Sequence, residues 1–173
     1  MSKINDNILG LSKNEVAIIS DLEFRKQYFF SKNDISKYFD NVNRMYYFIH
    51  RLLEKKRIIK LSKDKYYLIP IKSRTGFWSE NPYIIADEMM DSKDYYIGGW
   101  AAAYFWRLTD QIPMKYEIYT NKRSGKIEIL NEHFIFRKTT KDRLDNSVVV
   151  DILGHNVKIL EKGKIERWIQ LRS

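Results

Sequence analysis

The side chains best suited to recognition chemistry lie between residues 41 and 51, where amides, guanidinium groups and a phenol recur at helical spacing. Asparagine and arginine side chains can form the bidentate hydrogen bonds that distinguish adenine and guanine edges. From position 43 onward the spacing places these groups on one face of a helix. The candidates are Asn41, Asn43, Arg44, Tyr47 and Arg51. We expect Asn43 and Arg44 to contact bases, and the other three to contact bases or phosphates.

Three lysines shortly after this helix form a second group of candidates. Lys60 lies in the apolar run from Ile58 to Leu61, and Lys63 and Lys65 lie in the polar turn from Ser62 to Lys65. A second apolar run follows, so the pattern predicts a β-hairpin. Cations on such a hairpin suit contact with phosphates or with the minor groove. Hairpin tips are also commonly lysine-rich for solubility, so that interpretation stays open.

Capping residues and apolar spacing indicate the helices that must position these groups. Ser12, followed three residues later by Glu15, is a capping box that predicts a first helix running to about Phe24. A second, short helix is expected to start at Ser31 after the connecting segment. Asp40 or Asn41 would then end a tight turn and cap a third helix.

The third helix, from Val42 to Lys56, is amphipathic. Its apolar residues recur at spacings of three and four, which predicts one stripe that faces the first two helices. They are Met45, Phe48, Ile49, Leu52 and Leu53. A capped short helix, a tight turn, a second helix with a polar edge and a basic hairpin together predict a winged helix-turn-helix domain over residues 8–72.

The distribution of charge agrees with this prediction. The 173-residue chain has a net charge of +9, with 16 Lys and Arg against 8 Asp and Glu in residues 1–74 and 15 against 14 in residues 75–173. A basic first part suits a polyanionic partner, because cations near phosphates release condensed counterions. A solubilising surface is the alternative explanation of net charge alone.

The second half predicts a mixed domain over residues 80–173, so the expected fold class is α+β. A short helix, a brief strand at Tyr95 to Ile97 and a buried, alanine-rich helix from Gly98 to Leu108 come first. Three alternating runs between residues 115 and 138 follow, joined by short polar connections that favour an antiparallel meander. Two further strands are expected around Gly154, and a terminal helix from Lys164 to Leu171.

Several function classes are disfavoured. The chain has no cysteine, and its three histidines lack the spacing of a zinc site. Walker, Rossmann and nucleophile-elbow motifs are absent, so we expect no cofactor, no metal and no enzymatic activity. No apolar run has the length of a signal peptide core or a membrane span. We therefore expect a cytoplasmic protein with no membrane partner.

Two alternative functions stay open. A metal-dependent nuclease would use Asp110 and Glu117, with Lys122 or with Glu128 and Lys126, because carboxylates and a lysine can hold Mg²⁺ and a water beside a phosphate. A winged helix can instead dock another protein. The aromatic cluster of Trp100, Tyr104, Phe105 and Trp106 is either a base-stacking platform or, as its helical spacing favours, part of the core.

The order of motifs in the second half resembles the AbiEi-type family of antitoxins and transcriptional regulators. The resemblance rests on the stretch from Tyr95 to Pro113, which ends in Leu-Thr-Asp-Gln-Ile-Pro, and on the segments Glu117 to Arg123 and His133 to Arg137. Together with the preceding winged helix it covers roughly residues 10–170. It implies a winged helix that binds inverted repeats in its own promoter as double-stranded DNA, and a second domain that counteracts a co-encoded nucleotidyltransferase-like toxin without a stable complex.

Overall fold

A computed structural model describes residues 10–71 and 79–172. The chain divides into two compact units, Met1–Trp78 and Ser79–Ser173. Each unit contains helices and a β-sheet, so the α+β class is confirmed. The expected connection between the domains falls mostly on residues 72–78, which lie outside the described residues.

The first unit has the element order α–β–α–α–β–β. Its elements are α1 (Lys13–Phe24), β1 (Phe29–Ser31), α2 (Lys32–Ser36), α3 (Val42–Glu54), β2 (Ile58–Lys60) and β3 (Lys65–Leu68). The capping box of α1 is confirmed, since Ser12 Oγ accepts from the Glu15 N–H and the Glu15 carboxylate accepts from the Ser12 N–H. Ser31 and Asp34 form a second capping box at the start of α2.

The hairpin of β2 and β3 is part of a three-stranded antiparallel sheet in the order β1-β3-β2. Strand β1 was not predicted, because this segment was expected to be a connection. Phe29 pairs with Tyr67 and Phe30 pairs with Tyr66. Three residues are too few to show a strand's alternation, so only tertiary pairing identifies β1. Phe30 is fully buried in the core that α1, α2 and α3 share with the sheet.

The second unit is built around a six-stranded sheet. Its elements are α4 (Pro82–Met90), β4 (Tyr95–Gly98), α5 (Gly99–Phe105), β5 (Tyr116–Thr120), β6 (Gly125–Ile129), β7 (Glu132–Lys138), α6 (Lys141–Leu144), β8 (Ser147–Ile152), β9 (His155–Leu160) and α7 (Lys162–Gln170). The expected helices and strands are present. In α5 only the alanine face is buried, since Trp100 and Tyr104 are 45% and 37% exposed.

The expected antiparallel meander was wrong, because the sheet is mixed. Its strand order is β6-β7-β5-β4-β9-β8, and β5 pairs with β7 in parallel, as β4 does with β9. The connection from β5 to β6 therefore passes the end of β7 before β6 pairs with β7. Arg123 in this connection lies with its guanidinium carbon 3.6 Å from the centroid of the Phe136 ring on β7. A cation stacked on an aromatic face offsets part of the cost of burying it.

A buried carboxylate joins three elements of this unit. Asp87 on α4 is 2% exposed and accepts hydrogen bonds from the Tyr95 hydroxyl (2.6 Å) and the Ser92 hydroxyl (2.9 Å). The Tyr95 hydroxyl in turn accepts from the Lys158 N–H of β9 at 3.1 Å. Since every buried polar group needs a partner, this chain of bonds fixes α4 against β4 and β9.

The start of α5 requires glycine. Gly99 has φ +60°, and a Cβ there would overlap the Glu117 carboxylate. That carboxylate is itself held by Arg137, whose Nε and NH2 atoms both lie 2.5 Å from Glu117 Oε1. The carboxylate therefore cannot move aside without losing its ion pair.

We predict that Gly99→Ala lowers the free energy of unfolding by about 1–3 kcal/mol, from the positive φ and the displaced carboxylate. In a Glu117→Ala background the same substitution should cost only the φ strain, about 1 kcal/mol. Denaturant unfolding of the four proteins of this double-mutant cycle measures the difference. Equal costs in both backgrounds would show that Glu117 does not impose the requirement.

Candidate nucleic-acid interface

The orientation of α3 follows from its apolar stripe. Met45, Phe48, Ile49 and Leu52 are at most 7% exposed and belong to one core cluster, and Leu53 packs against it. The predicted stripe is therefore confirmed. Because successive residues turn by 100° around a helix, burial of this stripe directs the intervening residues to the opposite side.

The predicted recognition residues lie on this outer face. Asn43, Arg44 and Tyr47 are exposed, and Arg51 is half-buried one turn further along. Arg44 has 69% of its side chain exposed, and its NH1 atom lies 3.1 Å from Asp40 Oδ2. An ion pair this exposed contributes little to stability and leaves the guanidinium free to exchange partners.

Asn41 has a structural role in this conformation. It is the N-cap of α3, and its Oδ1 accepts a hydrogen bond from the Arg44 N–H at 2.9 Å. This bond occupies its side-chain oxygen, while the amide nitrogen lies at the exposed first turn. An N-cap asparagine satisfies one of the backbone donors that the first helical turn leaves unpaired.

A charged clamp joins the C-terminal end of α3 to the first turn of α1. Glu15, 6% exposed, belongs to the capping box of α1, and its Oε2 also lies 2.6 Å from Lys55 Nζ, where α3 ends. Burial would raise the pKa of Glu15, but hydrogen bonds from Lys55 and Ser12 outweigh it and lower that pKa. The carboxylate is therefore charged in the native state, and it determines how far along α1 the helix α3 lies.

The three predicted lysines lie on the β2–β3 hairpin, with Lys60 at the end of β2, Lys63 in the turn and Lys65 at the start of β3. Lys60 and Lys63 are exposed and Lys65 is half-buried. The turn is closed by the Leu61 N–H, which donates to the Lys65 carbonyl at 2.9 Å.

The sequence analysis missed a bridge between this hairpin and the helices. Lys32 at the start of α2 places its Nζ 2.7 Å from Asp64 Oδ1 at the hairpin tip and 5.0 Å from the centroid of the Tyr46 ring on α3. The hydrogen bond from Lys32 lowers the pKa of Asp64. These residues are far apart in sequence, so no local spacing signals the contact. Lys32 and Tyr46 extend the candidate surface, and Tyr46 is 48% exposed.

The polar edge of α3 also borders a cleft of about 450 Å³ against α1. Arg44, Tyr47 and Arg51 form one wall, and the first turn of α1 with Ile18 forms part of the other. The two arginines therefore flank a concave surface, whose lining also includes Glu15 and Asp40.

Three of the residues considered for metal chemistry, Glu117, Lys122 and Glu128, have other partners. Glu117 is paired with Arg137, and Lys122 Nζ lies 3.2 Å from Asp94 Oδ2. Among residues 10–71 and 79–172 no group of three or more His, Asp or Glu side chains could hold a metal ion. Over the same residues, no helix has the length and apolar character to cross a membrane.

Neither the models of known protein families nor the curated proteins with which the chain was compared gave a match. The resemblance to the AbiEi-type family therefore rests on the motifs between Tyr95 and Arg137 alone.

We predict that Glu15→Gln lowers the free energy of unfolding of the first unit by about 1–3 kcal/mol, the usual cost of losing a hydrogen bond to a charged group. The Ser12 N–H and Lys55 Nζ both donate to Oε2 of Glu15, and glutamine offers a neutral oxygen there, so the loss isolates the negative charge that pairs with Lys55. Because the native pKa of Glu15 lies below its usual 4.5, its contribution is present above that pH and is lost as the pH falls through the lowered value. Denaturant unfolding at several pH values should show a smaller acid destabilisation for the variant than for wild type, and parallel curves would contradict the clamp.

Proposed function

We propose that this chain is a sequence-specific DNA-binding transcriptional regulator whose first unit is a winged helix-turn-helix. The observation that carries the proposal is the exposed edge of α3, with Asn43 and Arg44 in its first turn, beside a hairpin that bears Lys60 and Lys63. In such domains the leading turns of the second helix enter the major groove and the wing contacts the backbone or minor groove. Asn and Arg supply base contacts, and the lysines supply phosphate contacts.

Supporting this role, the residues of the candidate surface come from three elements that are fixed to one another. Asn41 caps α3, Glu15 joins α3 to α1, and Lys32 joins the hairpin tip to α2. A surface held in place before binding loses less conformational entropy when it meets DNA. Arg44 and Tyr47 remain accessible in this arrangement.

The more specific proposal is an antitoxin of the AbiEi type that acts in the cytoplasm and represses its own operon. It would bind inverted repeats in its promoter, and its second unit would counteract a co-encoded toxin without a stable complex. The motifs from Tyr95 to Pro113 support this assignment. A winged helix that docks a protein is the rival, and a gel shift with the upstream DNA at increasing salt separates the two, because phosphate contacts weaken steeply with salt.

Arg44→Ala should weaken binding to the cognate site by about 1–3 kcal/mol, roughly 5- to 150-fold, and relax specificity at one base pair. Arg25→Ala is a matched control, since Arg25 also forms an exposed 3.1 Å pair with an aspartate four residues earlier. Fluorescence anisotropy with specific and scrambled duplexes measures both variants. An equal loss on both duplexes would remove Arg44 from base recognition.

Replacing Lys63 and Lys65 together with Gln should weaken binding to all sequences alike. It should also reduce the slope of log K against log salt by about 2, because each phosphate contact contributes about 0.9. The control variant, Lys13→Gln with Lys26→Gln, changes the net charge by the same amount. Lys13 is at the start of α1 and Lys26 lies just after its end, both exposed, so this variant should leave the slope nearly unchanged. A slope that is the same in all three proteins would exclude the hairpin as a phosphate contact.

A further inference from the structure

The second unit has an open groove of about 880 Å³ on one face of its sheet. Its floor is formed by neighbouring positions of β5 and β7, where Glu117 pairs with Ile135 and Tyr119 pairs with Arg137. Trp100 of α5 and Trp168 of α7 line one side. The loop before β5 adds Lys115 to the lining. We call this surface the sheet groove.

An indole ring is presented at this groove in a fixed position. Trp100 is 45% exposed, and its ring meets that of Trp168 edge to face, with centroids 5.2 Å apart. In this edge-to-face contact Trp168 holds the Trp100 ring in place and leaves part of that ring accessible. An accessible, fixed indole is a platform on which another planar group can stack.

The cations of the sheet groove are also held in place. Arg137 is fixed by Glu117, at 2.5 Å from Nε and NH2 to one carboxylate oxygen, so its NH1 donors remain for another partner. The Arg172 guanidinium carbon lies 4.2 Å from the centroid of the Trp168 ring. With Lys115, the lining has three cations and one carboxylate, so two positive charges remain after Glu117 pairs with Arg137. Its surface therefore favours an anionic ligand.

We propose that the sheet groove binds a single-stranded nucleic acid, with a base on Trp100 and phosphates at Lys115, Arg137 and Arg172. Cations that follow a backbone, together with aromatic rings that stack on bases, are the two features that single-strand binding requires. A duplex keeps its base faces inside the stack and cannot use the indole. The groove is open rather than enclosed, which suits a short stretch of an extended chain. This site is separate from the α3 surface of the proposed function.

The test uses the whole chain and a fluorescent single strand of about 12 thymidine nucleotides, a length within the usual site size for such proteins. Anisotropy should show saturable, salt-sensitive binding, and the strand should quench tryptophan fluorescence. Trp100→Ala should weaken binding by about 5- to 150-fold, the range for loss of one stacked base. Lys115→Gln with Arg172→Gln changes two exposed side chains, and should reduce the salt slope by about 1.4.

Lys141→Gln with Lys162→Gln removes the same charge at exposed positions outside the groove lining, and should leave single-strand binding and its slope unchanged. Arg44→Ala should leave single-strand binding intact, whereas the groove variants should leave binding to the promoter duplex intact, so each proposal can fail without the other. The inference would be overturned if the single strand did not bind, or if the control pair weakened binding as much as the groove pair. It would also be overturned if thymidine monophosphate or a random duplex bound as tightly as the single strand.

Discussion

The burial of one stripe of α3 is the constraint on which the candidate interface depends. Removing a Leu, Ile, Phe or Met side chain from water contributes about 1.5–3 kcal/mol, and Met45, Phe48, Ile49 and Leu52 share one core. A rotation that buried Arg44 instead would expose this stripe and leave a charge without water. The helix therefore has one stable rotation, and this rotation alone places the amide and guanidinium groups outside.

A fixed rotation of α3 about its own axis is not enough to define a recognition surface. The position of α3 along that axis, relative to the neighbouring elements, must also be fixed. Polar contacts between elements supply this: Glu15 bonds to Lys55 at the end of α3, and Lys32 bonds to Asp64 at the hairpin tip. The chain leaves α3 through Lys56, which has φ +52°, and the Arg57 N–H donates to the Leu52 carbonyl at 2.8 Å. This Schellman-type ending directs the chain into β2. Apolar packing thus determines which face is outward, and a few polar bonds determine where it lies.

Sequence reasoning succeeded where the signal is local. Neighbouring residues predicted the capping box of α1, the helices other than α6, the outer face of α3 and the β2–β3 hairpin. It failed for β1, whose three residues are defined by pairing with β3, and for the order of β5, β6 and β7. Alternation is the same in parallel and antiparallel strands, so it could not reveal that the connection carrying Arg123 passes the end of β7. The bridge from Lys32 to Asp64 was not predicted either, because 32 positions separate the two residues in the sequence.

The two units also show why net charge is a weak guide to local surfaces. Residues 1–74 carry most of the excess positive charge, and α3 and the hairpin hold some of these cations. Residues 75–173 are nearly balanced, yet the sheet groove is basic because Lys115 and Arg172 remain after Glu117 pairs with Arg137. The pair is neutral overall, but the carboxylate orients the guanidinium of Arg137 and leaves its NH1 donors for another partner. Net charge computed from the sequence counts Glu117 against anion binding. In the structure, Glu117 instead orients Arg137, one of the cations proposed to bind the anion.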